Sequence, residues 1–181
     1  MSQQHRRNFN CPGHAHELTF SCYHGLPLLA RDRTRRWFLD TLDQARTDHD
    51  FAVIAYVIMP EHVHLLLWPR REAYDMAEIR RTIKQPVARR AMRYLERHAP
   101  HWLERLTRRR GERMERLFWQ SGGGYDRNVT DRATLRVMVD YIHANPVRRA
   151  LAARPVDWPW SSARWYAGDA AAGLVMDPWP L

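Results

Sequence analysis

Residues 51–68 read "FAVIAYVIMPEHVHLLLW", and the architecture follows from them. Two short apolar runs, 51–59 and 62–68, are separated only by Pro60 and Glu61, which makes them a tight antiparallel pair of strands. A strand repeats every two residues. His62 and His64 therefore share one side of the second strand, and Val63, Leu65 and Leu67 share the other. The apolar set can face a helical layer while both imidazoles emerge on the open face.

Working outward, residues 17–24, "ELTFSCYH", alternate loosely and form a first strand closed by Gly25 and Pro27. Phe38, Leu42 and Ala45 recur at helical spacing within 30–48, and Met76, Ile79, Ile83 and Tyr94 do so within 74–97, where Pro86 should kink or interrupt the helix. The charge-dense segment 105–116 reads as a solvated linker or a DNA-phosphate arm. "LFWQSGGGYDRNV", 117–129, reads as a strand leading into a glycine-rich turn. Thr130 or Asp131 then caps a helix with the stripe Leu135, Met138, Val139 and Ile142. This order predicts an α+β, ferredoxin-like or RRM-like sandwich: a mainly antiparallel sheet with helices on one face, plus a C-terminal tyrosine-bearing helix and tail. Residues 1–181 read as one domain, with a core at about 15–150 and a tail at about 151–181.

Lys plus Arg number 29 against 20 Asp plus Glu, a formal net charge of +9, and all but one of the bases are arginine. Arginine suits bidentate phosphate contact, so a polyanion is the natural partner, although a solvated arginine-rich surface has the same composition. Two cysteines, Cys11 and Cys22, exclude a disulfide framework. "CPGHAH", 11–16, with Cys22 and His24 matches no standard zinc-knuckle spacing. No apolar run approaches the ~20 residues of a membrane span, and "MSQQHRRNFN" has no apolar segment behind its charges. A soluble chain in a reducing, cytoplasmic compartment is expected.

Two imidazoles on neighbouring same-face positions can share one metal ion. In "VDYIHANPVRR", 139–149, Tyr141 and Asn145 are four apart, on one row of the last helix flanking its apolar stripe. If that helix packs beside the histidines, the Asn145 amide oxygen can complete a three-ligand site one turn beyond a phenol. Mixed imidazole and amide ligation with open positions suits Mg²⁺ or Mn²⁺ held jointly with a phosphate. Bland alternatives stand beside each residue: a boundary tyrosine with its hydroxyl in water, and an asparagine near a helix end before Pro146.

"PEHVH", followed by "YIHANPVRRALAARPVDWPWSSARWY", resembles the single-tyrosine HUH transposases, in particular the REP-associated tyrosine transposases. The resemblance spans the chain from the first strand to about Tyr166. It implies that His62 and His64 are the HUH metal ligands, that Tyr141 is the catalytic nucleophile, and that Asn145 holds the third ligand position, where related insertion-sequence enzymes often carry Gln. It implies metal-dependent cleavage and rejoining of single-stranded DNA through a covalent 5′-phosphotyrosine. The implied substrate is an imperfect palindrome folded into a hairpin, with an adjacent tetranucleotide helping to select the cleavage point. The enzyme would work at the nucleoid, as a monomer or a homodimer. A hairpin-binding protein that keeps the fold without productive strand transfer is the alternative.

Arg127, Arg148 and Arg149 lie near the two ends of the tyrosine helix, to grip phosphates or to form a solvated cap. Trp158 and Trp160 either stack unpaired bases or pin the tail to the body, and Arg164 shares that choice.

Overall fold

The computed structural model describes residues 10–169, 171 and 173–179. The N-terminal stretch read above as lacking leader character lies almost wholly outside them.

Strand β1 (Ala15–Ser21) leads through a short 3-10 turn into helix α1 (Asp32–His49). The pair read from residues 51–68 follows as β2 (Phe51–Ile58) and β3 (His62–Pro69), then the long helix α2 (Met76–His98) and the short α3 (His101–Arg105). A small hairpin, β4 (Thr107–Arg110) with β5 (Arg113–Arg116), precedes strand β6 (Tyr125–Val129) and helix α4 (Arg132–Arg148). One turn of helix, α5 (Ala163–Tyr166), lies in the tail. The four main strands pair in the order β2-β3-β1-β6, every neighbour antiparallel. Setting the hairpin aside, that is the ferredoxin-like order expected from the sequence.

The sheet has two buried faces. On the first, Leu18, Phe20, Val63, Leu65 and Leu67 pack against Phe38 and Leu42 of α1 and Ile79, Ile83 and Val87 of α2. On the second, Ala52, Ile54, Val57, Leu66 and Val129 meet Leu135, Val139 and Ile142 of α4. The C-terminal helix therefore covers part of the face that the sequence reading left open. Its stripe of three buried residues is too apolar to be left in water.

Three local readings change. Helix α2 runs through Pro86, because Ile79, Ile83 and Val87 hold it to the sheet on both sides of the missing amide. Segment 105–116 is not an irregular linker: most of it forms the β4–β5 hairpin, turned by Gly111 at φ +61°. Arg108 and Glu115 face each other across it, at 2.9 Å. The strand at 117–129 follows the glycines instead of preceding them: β6 pairs with β1, while Trp119 makes only an isolated bridge to Cys22. Gly124, at φ +74°, enters that strand so close to β1 that a Cβ there would fall 2.2 Å from the Thr19 carbonyl oxygen.

The tail covers the exposed edge of β2. Ile58 N–H donates to the Trp160 carbonyl at 2.8 Å, Ser162 N–H donates to that of Tyr56 at 3.0 Å, and Asp177 accepts from Val53 N–H at 2.9 Å. An edge strand occupied in this way cannot pair with another chain.

Candidate active site

β3 projects His62 and His64 onto the second face, as the alternation requires, and their Nε2 atoms lie 3.1 Å apart. Each ring is held by its other nitrogen: His64 Nδ1 is 2.8 Å from the Thr19 hydroxyl on the neighbouring strand, and His62 Nδ1 is 3.1 Å from Glu61 Oε1. A carboxylate accepts only, so His62 carries its proton on Nδ1 and presents a lone pair at Nε2. In the tautomer where Thr19 accepts from His64 Nδ1, both Nε2 lone pairs point into the same space. Ligand bonds of about 2.1 Å at right angles put two donor atoms about 3.0 Å apart, so the pair fits adjacent positions on one cation. Burial also keeps the rings neutral. His62 is depressed mainly by desolvation, with Glu61 opposing. His64 is pushed down to about 4 by desolvation, then by the charges of His62 and Arg148.

α4 brings the rest. The Tyr141 ring stands edge-on to His64, centroids 5.8 Å apart and planes at 87°, and the side chain is 37% exposed. The Arg148 guanidinium carbon lies 5.0 Å from the Tyr141 ring centroid. Asn145 is buried one turn on, its amide nitrogen donating to the Tyr141 carbonyl at 2.9 Å. Among the described residues no three His, Cys, Asp or Glu side chains gather as a metal site.

The arginines separate. Arg127 is exposed on β6 opposite Glu17, a buried carboxyl raised chiefly by desolvation and lowered by Arg127. Arg148 sits over the phenol ring. Arg149 donates to Glu61 Oε1 at 2.7 Å, so one carboxylate serves both His62 and the end of α4. Trp158 donates from Nε1 to the Ile58 carbonyl at 3.1 Å, and the Arg35 guanidinium lies 5.0 Å from the Trp158 ring and 5.5 Å from that of Trp160. Both indoles are engaged in holding the tail. Arg164 is paired with Asp169 through its Nε, at 2.7 Å, also within the tail.

The sequence reading missed Thr19 and Glu61 as ring holders. Glu61 stood in the quoted motif, whereas Thr19 carried no signal until the pairing of β1 with β3 was known. His143 lies in the interface of α4 with the tail, its Nε2 2.8 Å from the Ser162 hydroxyl. The cysteine and histidine cluster of the N-terminal region is occupied otherwise: His16 bonds Asp126 at 2.8 Å and the Tyr74 hydroxyl at 2.7 Å, while Cys22 is fully buried with its thiol pushed up by burial.

An antiparallel β2-β3-β1-β6 sheet backed by α1 and α2, with a histidine pair facing a tyrosine helix, defines a ferredoxin-like α+β protein with a candidate metal and phenol site. Comparison with known proteins narrows the likeness. The chain is 25% identical over 163 residues, 84% of each protein, to a Haemophilus influenzae protein named as a REP-associated tyrosine transposase. A solved structure described as the REP-associated tyrosine transposase bound to a REP hairpin superimposes with a TM-score of 0.70 at 21% identity, covering 98% of this chain and 89% of that one. The two share a fold. No family model matches the chain. No helix among the described residues is long and apolar enough to cross a membrane.

Proposed function

We propose that this protein cleaves and rejoins single-stranded DNA at hairpin-forming palindromic repeats, with Tyr141 as nucleophile and His62, His64 and Asn145 as ligands of Mg²⁺ or Mn²⁺. The observation that carries the reading is the convergence of two neutral imidazole Nε2 atoms beside the ring of an exposed tyrosine. The relative named as a REP-associated tyrosine transposase and the structural neighbour described as bound to a REP hairpin support it.

In the proposed reaction the Tyr141 oxygen attacks the scissile phosphorus, an oxygen–phosphorus bond forms, and the bond to the 3′ oxygen breaks. The phenol loses its proton to water and the departing 3′ oxygen gains one. The phosphotyrosine preserves the bond energy, so the 3′-hydroxyl can later reverse the step without ATP. A divalent ion, when bound, would supply Lewis-acid polarisation of the phosphate, which helps a neutral phenol, a weak nucleophile, to attack. Arg148, over the phenol ring, is placed to meet a phosphate oxygen. Thr19 and Glu61 hold the two imidazoles in the ligating tautomer.

Tyr141→Phe is expected to abolish both cleavage and the covalent protein–DNA adduct on hairpin oligonucleotides while leaving hairpin affinity within about twofold, because a ring without its hydroxyl still fills the same space. Cleavage retained by that variant overturns the nucleophile. A wild-type protein that binds hairpins and never forms an adduct is instead the binding protein without strand transfer.

A further inference from the structure

On the first face of the sheet, away from the histidine pair, lies a cleft of about 930 Å³ between loop 27–31, the start of α1, the C-terminal part of α2 and α3. We propose that this cleft stacks unpaired bases of the DNA strand that runs into the Tyr141 site. The proposal deepens the DNA-cleaving reading and rests on it.

The walls carry aromatic planes and cations together. Trp37, Tyr94, Trp102 and Phe118 line the cleft. The Arg33 guanidinium carbon lies 3.4 Å from the Tyr94 ring centroid, and Tyr94 also stacks on His98, with centroids 4.3 Å apart and planes 7° from parallel. Arg105 covers Trp102 at 4.5 Å. Guanidinium and aromatic planes are the surfaces on which single-stranded bases stack, and the same guanidinium groups can meet the phosphates between them.

The charge selects the occupant. Arg31 and Arg33 are exposed and make no ion pair among the described residues, whereas Asp32, the acidic side chain of the lining, is held by Arg35 at 3.4 Å. An apolar protein segment seated here would bury two uncompensated guanidinium groups, at a cost it could not recover. A polyanion with planar bases satisfies both features.

The backbone joins the cleft to the site. Leu29 N–H donates to the Pro60 carbonyl at 2.9 Å, and Cys22 N–H donates to that of Glu61 at 2.7 Å. The loop that forms the cleft rim is thus stitched to the two residues preceding His62. The turn before His62 and the cleft rim are therefore neighbours, which places the cleft on a route open to a strand leaving that site. Trp158 and Trp160 lie apart from this wall, in the tail, where the Trp158 indole bonds the Ile58 carbonyl.

The probe is a short oligothymidylate carrying one 2-aminopurine, single-stranded or paired to its complement. The single strand is expected to lose fluorescence on binding, and the duplex is not. Arg33→Ala and Trp102→Ala, both at the surface and outside the main core, should each weaken single-strand binding about tenfold, the usual worth of one stacked base. Their thermal midpoints should stay at the wild-type value. Equal signals from duplex and single strand, or variants that bind the single strand as wild type does, overturn the subsite. The measurement needs no cleavage, so the two readings fail separately. Base stacking without any Tyr141 adduct sinks the catalysis and leaves the subsite; an adduct formed with unaltered binding in both variants sinks the subsite alone.

Discussion

The Thr19 hydroxyl, 2.8 Å from His64 Nδ1, is a single group that decides which lone pair His64 offers. Thr19→Val keeps the shape of the side chain and removes the bond. The ring is then free to turn or to change tautomer, and loss of such an outer partner typically lowers metal affinity about 10- to 100-fold. The fold should lose only about 1–2 kcal/mol, since one buried nitrogen is left unpaired. Calorimetric titration with Mn²⁺ beside urea unfolding separates the two effects; affinity unchanged in the valine variant would show that Thr19 does not orient His64. The sequence announces the histidines and not the threonine. His62 and His64 are adjacent on one strand, and a two-residue period is enough to put them together. Thr19 lies 45 residues upstream of His64, and only the order of strands makes it a neighbour.

At the scale of the elements, the proposed DNA contact turns on α4, which fixes where its arginines lie. Arg149 closes the helix against Glu61 through a pair that is 58% exposed on the arginine side, an interaction worth at most about 1 kcal/mol after solvent screening. Arg148, by contrast, is turned toward the phenol, and Arg127 stands exposed on β6. The salt dependence of single-strand binding distinguishes these positions, because each phosphate contact contributes about 0.7 to the slope of log K against log salt. Arg127→Ala and Arg148→Ala should each flatten the slope by about that amount, and Arg149→Ala should leave it unchanged. A flattened slope for Arg149→Ala would mean that Glu61 releases it to DNA. Elements whose burial is strong, α1 with its helical apolar period and β2 as a continuous apolar run, were readable from sequence. The polar elements were not. The β4–β5 hairpin is held by Arg108 and Glu115 and by a glycine turn, and β6 is an edge strand whose exposed side chains carry no apolar alternation. The stripe on α4 said that the helix is buried, without saying which face of the sheet would bury it.

Over the whole molecule, one sheet supports helices on both faces, and the seam between α4 and the tail is closed by a buried histidine. His143 shares a bond with the Ser162 hydroxyl, which in turn donates to the Tyr56 carbonyl at 3.2 Å. Desolvation holds the His143 imidazole at a pKa of about 4, against about 6.5 for an exposed ring, with Asp140 opposing weakly. The unfolded chain therefore takes up a proton before the native one does, and native stability must rise with pH across that interval. The contribution is fully present above about pH 6.5, is lost progressively as pH falls, and is gone below about pH 4. Two and a half pH units of differential protonation correspond to roughly 3 kcal/mol. Urea midpoints measured from pH 7 to pH 4 should fall accordingly. In His143→Gln, which can still bond Ser162 and cannot titrate, the fall should be shallower by about that amount, with metal and DNA absent so that neither masks it. If the glutamine variant follows the wild-type curve throughout, the seam between the tyrosine helix and the tail does not depend on a neutral His143.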